Sequence, residues 1–351
     1  MPRSQISQKR QKRRRSPNEV IVRILFAGSP AIAVPSLEAA ASMSGEGFTL
    51  AGLLTKTDTP KGRSGAPEPT ECAQALAALQ QTTDAARLIP ILKPEKLDSA
   101  VREQIAALRA DLLVTFAYGK IFGPQFLALF PLGGINIHPS LLPRYRGPAP
   151  IPAAILNREA VTGITIQRIA LEVDSGDIFM QEKVPLNGRE TTASLSDVMA
   201  HKAAQLLPAA LRGIAAGTLT AAPQDHAAAT YSALLKKEDG LIDWNRSAAE
   251  IDAQIRAFNP WPISWTTHGE LQLFIHTAEA LTAETGDASA PAAAPPGQVL
   301  GKDKVKGILI QTGDGVLAVS ELQYRTKKVL NWNDFLNGAR NFLGAKLGSA
   351  H

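Results

Sequence analysis

The chain has 351 residues, 45% of them hydrophobic, with 37 Lys and Arg against 32 Asp and Glu, a formal charge of +5 and a single cysteine. That length exceeds what one hydrophobic core usually serves, so two domains are expected. Cys72 alone excludes an intrachain disulfide, and the six histidines show no paired metal-ligand spacing. With no apolar run of about eighteen residues and no apolar N-terminal stretch, the reading is a cytoplasmic protein without membrane span or secretory signal.

Residues 1–19 carry Arg3, Lys9, Arg10, Lys12, Arg13, Arg14 and Arg15 before the first acid, Glu19. These charges exceed the whole net excess, so the remainder of the chain is mildly acidic. The arm has almost no apolar residues to offset its ordering entropy and is expected to be disordered. Such a block is either a solvated tail or a source of phosphate attraction, and the residues leave both open.

A first domain is predicted over 20–217. VIVRILFAG (20–28) is a continuous apolar, β-branched run ended by Gly28-Ser29-Pro30, which reads as a buried strand and a turn, with a helix in SLEAAASM after it. Further strands are predicted at 48–56, 87–92, 111–119 and 133–140, with a helix in DSAVREQIAALRA. Strands that are apolar throughout and alternate with helices predict an open, mostly parallel twisted sheet covered by helices on both faces. The G-S-P-A turn lacks the later glycines of a dinucleotide fingerprint. Strands at 162–170 and 178–186 flank the turn LEVDSGD, and a long helix at 193–217 closes the domain.

The Ala/Thr/Pro segment 218–230 has no periodicity and reads as a linker. Over 231–351 the pattern changes to short strands in LIDW, ISWTTHG, LQLFIHTAEAL, GQVLG, GILIQTG and GVLAVSELQY, with one helix at 247–258. This predicts a small β-barrel, interrupted by a low-complexity loop at 282–296.

Candidate chemistry concentrates in NIHPSLLPRYRGPAP (136–150). Asn136 and His138, at i and i+2, project to the same side at the carboxyl end of a strand, where parallel sheets bind ligands. Pro139 and Pro143 stiffen the rim that holds them. A carboxylate is available from Asp174 or Asp177 in VDSGDIF, although aspartates are common in turns for structural reasons. An amide donor, an imidazole and a carboxylate suit acyl transfer to an amine: the amide and imidazole stabilise a developing oxyanion, and the carboxylate governs the imidazole proton. The serine of S-L-L-P is not in a nucleophile elbow and Cys72 lies in an Ala-rich helical segment, so no covalent intermediate is expected. Arg144 and Arg146, just beyond the turn, either meet a phosphate-bearing acceptor or brace the loop.

INIHPSLLPRYRGPAPI followed by TGITIQRIALEVDSGDI resembles the signature of the 10-formyltetrahydrofolate-dependent formyltransferases. The resemblance implies catalytic roles for Asn136, His138 and Asp174, a Rossmann-like catalytic domain, and 10-formyltetrahydrofolate as formyl donor with no metal. It further implies folate contacts from Tyr118, Gly119, Lys120, Ile121 and Phe122, from Ser140, Leu141, Leu142 and Pro143, and from Val173. RILFAGSPAIAVPSLEA and YSALLKKEDGLIDWNRSAAEIDAQIRAFNPWPISW are similar to the methionyl-tRNA branch of that family. This implies an OB-like C-terminal barrel and an initiator tRNA acceptor gripped by that barrel and by the loop after the second strand, with Lys61, Arg63, Lys236 and Lys237 as contacts; Arg144 and Arg146 join them on the phosphate reading given above, and a monomer is expected.

Lys302, Lys304, Lys306, Arg325, Lys327 and Lys328, near the turns of the predicted barrel, are compatible with RNA. Three departures from the family pattern stand out. Ala66-Pro67-Glu68 replaces a lysine pair in the loop after the second strand, which weakens that loop as a tRNA clamp. Ala31 replaces an acid, and Pro152 a glutamine. The alternatives are a sugar-nucleotide formyltransferase, against which the FNPWP and KKEDGLIDW stretches speak, and an RNA-binding protein without catalysis, which would have no chemical need for all three of Asn136, His138 and Asp174.

Overall fold

The computed structural model describes residues 21–60, 65–281 and 294–348. The basic arm 1–19, Lys61, Arg63 and most of the 282–296 loop lie outside the described residues. In chain order the first half contains β1 (Val22–Gly28), α1 (Val34–Ser42), β2 (Phe48–Leu54), the short pair β3 (Thr59–Pro60) and β4 (Pro67–Glu68), α2 (Glu71–Thr82), β5 (Ile91–Leu92), α3 (Ser99–Ala107) and β6 (Leu112–Phe116). Then follow α4 (Pro124–Leu127), β7 (Gly134–His138), α5 (Pro150–Leu156), β8 (Val161–Arg168), β9 (Ile178–Pro185) and α6 (Thr192–Ala215).

The main sheet has the order β5-β2-β1-β6-β7-β8-β9, parallel from β5 to β7 and antiparallel from β7 to β9. Side chains alternate across a strand, so β1 serves two cores. Ile24 and Phe26 pack with Leu37 of α1 and Leu207 and Leu211 of α6, whereas Leu25 and Ala27 pack with Ile105, Phe126 and Phe130 on the opposite face. That double burial is why the strand is apolar at every position. The chain order reverses between β1 and β6, and a crevice outside their carboxyl ends is the expected ligand position in such a sheet. The third predicted strand, 87–92, shrinks to Ile91–Leu92, because Asp84–Ala86 forms a short helical turn and Pro90 precedes the pairing residues.

The second half holds α7 (Ala248–Ala257), β10 (Ser264–His268), β11 (Leu271–Leu281), β12 (Val299–Asp303), β13 (Gly307–Gln311), β14 (Val316–Tyr324), β15 (Leu330–Asn331) and α8 (Trp332–Gly338). Ser247 and Glu250 form a reciprocal capping box that starts α7. The antiparallel order is β10-β11-β14-β13-β12, with β15 on β14. Residues 344–348 lie between the two outer strands: Val299 N–H donates to the Ala345 carbonyl at 2.9 Å, and Thr267 N–H to the Gly348 carbonyl at 3.1 Å. This closing segment covers both edges and completes a barrel around Ile275, Ile308, Ile310, Leu317 and Val319. LIDW, expected as a strand, makes only a bridge from Leu241 to Trp265 and otherwise turns, with Trp244 buried under the barrel. No helix among the described residues is long and apolar enough to cross a membrane.

The segment 218–230 is tied down rather than free. Ile178 and Ala222 exchange two main-chain hydrogen bonds, Thr230 pairs with Pro143 and Arg146, and Ser232 continues that pairing. It therefore crosses the end of the sheet and joins the loop after β7.

Cys72 is fully buried in α2, and burial, with a smaller contribution from Glu71, pushes its thiol up to about 12. A raised value means that thiolate is scarce at neutral and mildly alkaline pH. Iodoacetamide at pH 8 should leave the native protein unlabelled and label it once denatured, as mass spectrometry would show; rapid native labelling would contradict this packing.

Candidate active site

A cleft of about 1080 Å³ opens at the carboxyl ends of β1, β6 and β7, above the range of roughly 300–1,000 Å³ typical of a single small-molecule site. Its lining includes Asn136, His138, Gln167 and Asp174, Lys56 and Tyr118 to Phe122, Thr192, Ser196 and Asp197 of α6, and Leu234, Leu235, Pro260 and Trp261 from the second half of the chain.

Asn136 and His138 stand at alternate positions of β7, opposite Gln167 and Thr165 of β8. The His138 Nε2 lies 2.8 Å from the Tyr145 carbonyl. A carbonyl can only accept, so Nε2 carries the proton and Nδ1 is the nitrogen left to exchange one. That Nδ1 is 3.5 Å from Asp174 Oδ2. His138 is nearly fully buried, and the Asp174 side chain is 12% exposed.

The Asp174 carboxylate accepts three hydrogen bonds: Asn136 Nδ2 at 3.1 Å and Gln167 Nε2 at 2.9 Å on Oδ1, and Gly147 N–H at 2.8 Å on Oδ2. Donors of this kind compensate the loss of water around a largely buried anion. The contact also fixes the Asn136 amide, because a carboxylate oxygen would repel its Oδ1. One amide hydrogen is thereby committed to Asp174 and the other remains for a carbonyl oxygen in the cleft. Asp174 itself has φ 51°, in the left-handed region that aspartate tolerates better than most residues. Asp177 does not line the cleft, and its carbonyl accepts from the Arg168 N–H.

The loop between β7 and α5 carries two of these contacts, and its shape depends on Gly147, whose φ is 98°. A Cβ there would come within 2.7 Å of the Ser232 carbonyl, so only glycine permits the close approach. Ser140, Leu141, Leu142 and Pro143, expected to contact folate, are not among the residues lining this cleft. Ser140 Oγ donates to the Arg144 carbonyl at 2.6 Å, Leu142 N–H donates to Thr165 Oγ1, and the Leu142 carbonyl accepts from Gln181, so the turn is tied to the β7–α5 loop and to β8 and β9.

Other predicted folate residues do reach the cleft. Tyr118 and Phe122 stack at 5.6 Å, and Phe126 continues the stack. The Tyr118 hydroxyl is buried without a hydrogen-bond partner among the described residues, and burial pushes its pKa up to about 12. Gly119 has φ 78°, and a Cβ there would come within 3.0 Å of the Lys56 ammonium, which lies over it. Lys120 turns away to donate to the Pro94 and Glu95 carbonyls. Ile121 and Val173 line the cleft mouth, 77% and 54% exposed.

The two arginines of the motif have different surroundings. Arg144 is half-exposed and pairs with Glu159, which also accepts from the Tyr145 hydroxyl. Arg146 is 2% exposed and donates to Gln224 Oε1 through Nε and Nη2 at 3.2 and 2.8 Å, with Tyr231 and His226 beside it. Of the two readings of this residue, phosphate contact or loop brace, the buried contacts of Arg146 fit the brace. Lys236 and Lys237 are exposed at the start of the second half.

Gln167, Gln224, Gly147 and Lys56 were not singled out by sequence reasoning. Only Gln167 left a signal, since it sits at the strand position that faces Asn136 once β7 and β8 are paired.

Comparison with known proteins places this geometry in a family. The formyl transferase family model matches residues 22–211, and the model for the formyl transferase C-terminal domain matches 234–340. The methionyl-tRNA formyltransferase of Treponema denticola is 49% identical over 92% of this chain and 98% of its own length. That of Roseiflexus castenholzii is 40% identical over 93% of this chain and 99% of its own. Among solved structures, a Helicobacter canadensis N-formyltransferase crystallised with folinic acid and dTDP-3-aminofucose superposes with a TM-score of 0.60, covering 85% of this chain and 98% of that one. At 18% identity that likeness speaks for the fold alone. With both family models matched in order and full-length relatives at up to 49% identity, the chain belongs to the methionyl-tRNA formyltransferase family.

Proposed function

We propose that this chain transfers the formyl group of 10-formyltetrahydrofolate to the free α-amino group of methionyl-initiator tRNA, with Asn136, His138 and Asp174 as its catalytic residues. The observation that carries the assignment of those residues is their convergence, amide to carboxylate to imidazole, in a cleft at the carboxyl ends of the strands. The Tyr118–Phe122 stack and the unpartnered Tyr118 hydroxyl fit a flat heteroaromatic ring with polar edges, as in the folate donor. The apolar residues Leu234, Leu235 and Trp261, which line the same cleft, fit the aminoacyl end of the acceptor.

Transfer forms a C–N bond to the acceptor amine, breaks the bond between the formyl carbon and N10, and moves one proton from the amine to the released nitrogen. The free Asn136 N–H polarises the formyl oxygen and holds it as it becomes an oxyanion. His138 Nδ1, beside the Asp174 carboxylate, is placed to take up and return the proton, while its Nε2–H stays committed to Tyr145. No side chain attacks the formyl carbon, because the acceptor supplies the nucleophile. Arg144, Lys236 and Lys237, together with Lys61 and Arg63, are proposed to meet acceptor phosphates, and the cytoplasm is where translation would supply that acceptor.

Incubation with 10-formyltetrahydrofolate and, in parallel, charged initiator tRNA, glycinamide ribonucleotide or an amino sugar nucleotide tests the acceptor. Formylation of the tRNA alone is expected, and preference for a sugar nucleotide would refute the reading. Asn136→Ala should lower kcat by roughly a hundredfold or more, as loss of an oxyanion donor does. Asp174→Asn should lose turnover while Asp177→Asn keeps it; equal losses with unchanged melting would show the two aspartates to be assigned wrongly.

The arginines should separate. Arg144→Ala is expected to raise KM for tRNA and reduce its salt dependence. Arg146→Ala should cost on the order of 2 kcal/mol of stability by leaving buried acceptors unpaired. Unchanged melting of Arg146→Ala with a raised tRNA KM would reverse their roles.

A further inference from the structure

Gln224 lies in the segment between the two halves of the chain and is 5% exposed. Its Nε2 donates to the Gly176 carbonyl at 2.6 Å and to the Asp174 carbonyl at 2.9 Å, and lies 3.2 Å from Gln167 Oε1. Its Oε1 accepts from two nitrogens of Arg146, so the guanidinium dictates which way the amide faces. Gln167, 1% exposed, in turn gives its own Nε2 to Asp174 Oδ1 at 2.9 Å. An amide from one segment therefore holds the backbone of the Asp174 turn, and an amide from β8 holds the carboxylate that the turn presents.

We propose that Gln224 and Gln167 form a pair of positioning residues for the formyl transfer, clamping Asp174 so that its carboxylate faces His138 and Asn136 at once. Asp174 needs such a clamp for two reasons. Its backbone sits in the left-handed region, which costs a residue with a Cβ some free energy unless its surroundings hold it there. Its neighbours Leu171 and Val173 are more than half exposed, so little packing fixes the turn from the solvent side. The hydrogen bonds of Gln224 to the carbonyls on either side of Ser175 replace that missing packing. Gln224 does not line the cleft, and Gln167, which does, gives its Nε2 to Asp174, so both act through that carboxylate. Because Arg146, which holds Gln224, also pairs through its backbone with Thr230 and Ser232, the clamp makes the junction between the two halves part of the proposed catalytic apparatus.

This inference rests on the catalytic role proposed for Asp174, and the experiment separates the two. Steady-state kinetics with both substrates and thermal melting are measured for Gln224→Glu, Gln167→Met and Asp174→Asn in the full-length chain. Glu at position 224 keeps an acceptor for Arg146 but cannot donate to the Asp174 and Gly176 carbonyls. Met at 167 keeps the bulk and removes the donor. Assayed well below their melting temperatures, both variants should lower kcat on the order of tenfold or more, with KM for folate and tRNA within about twofold of wild type, as misplacement of a catalytic group does. Wild-type kcat in both would overturn the clamp while leaving Asp174 in its role if Asp174→Asn is inactive. A loss of kcat that only tracks lowered melting or raised KM would overturn it as well, since that is what a merely structural glutamine predicts. Full activity of Asp174→Asn would instead remove the catalytic assignment itself. Should Gln224→Glu fail to fold, Gln167→Met alone decides by the same criteria.

Discussion

A carboxylate that is 12% exposed has given up most of its water, and the region around Asp174 is arranged to replace it. An anion in such a place must be met by hydrogen-bond donors or a cation. Three donors come from three separate stretches of chain: Asn136 at the end of β7, Gln167 at the end of β8 and the Gly147 N–H in the loop that follows β7. Bringing them together requires β8 to run antiparallel beside β7, which is where the sheet departs from its parallel pattern.

The loop 143–149 is the second element on which the site depends. It offers no apolar core of its own, and it presents one carbonyl to His138 and one N–H to Asp174. Several of its other main-chain groups are paired with residues 230–232, where the second half of the chain begins: Arg146 N–H with Thr230, Ser232 N–H with Arg146, and Ala149 N–H with the Ser232 hydroxyl. Hydrogen bonds along a loop supply the rigidity that packing would supply in a helix. The tight fit at Gly147 shows how close the two segments run.

Much of this was legible in the sequence where periodicity and packing carry the information. β1, β2, β6 and β7 announced themselves by apolar runs because both faces of the sheet are covered, and α7 by its spacing. The short helix α5 was not legible, because Pro148, Pro150 and Pro152 read as a loop although a proline is well tolerated in the first turn of a helix. The closing segment 344–348 has no strand pattern and owes its place to two edges that need covering. In the site, Asn136 and His138 could be paired from their i and i+2 spacing. Arg144 and Arg146, two residues apart in one motif, could not be told apart, because burial of one and exposure of the other follows from the path of residues 224–231, which local sequence does not encode. The same holds for Gln167 and Gln224, whose amides carry no charge and no characteristic spacing.

The position of the second half follows from the same geometry. Leu234, Leu235, Pro260 and Trp261 line the same cleft as Tyr118 and Phe122, and α7 packs directly on α5. The second half's share of the cleft lining and the pairing that shapes the 143–149 loop therefore come from one continuous stretch, 224–261. The stretch that contributes Leu234 and Trp261 to the cleft is thereby the one that fixes the loop touching His138 and Asp174.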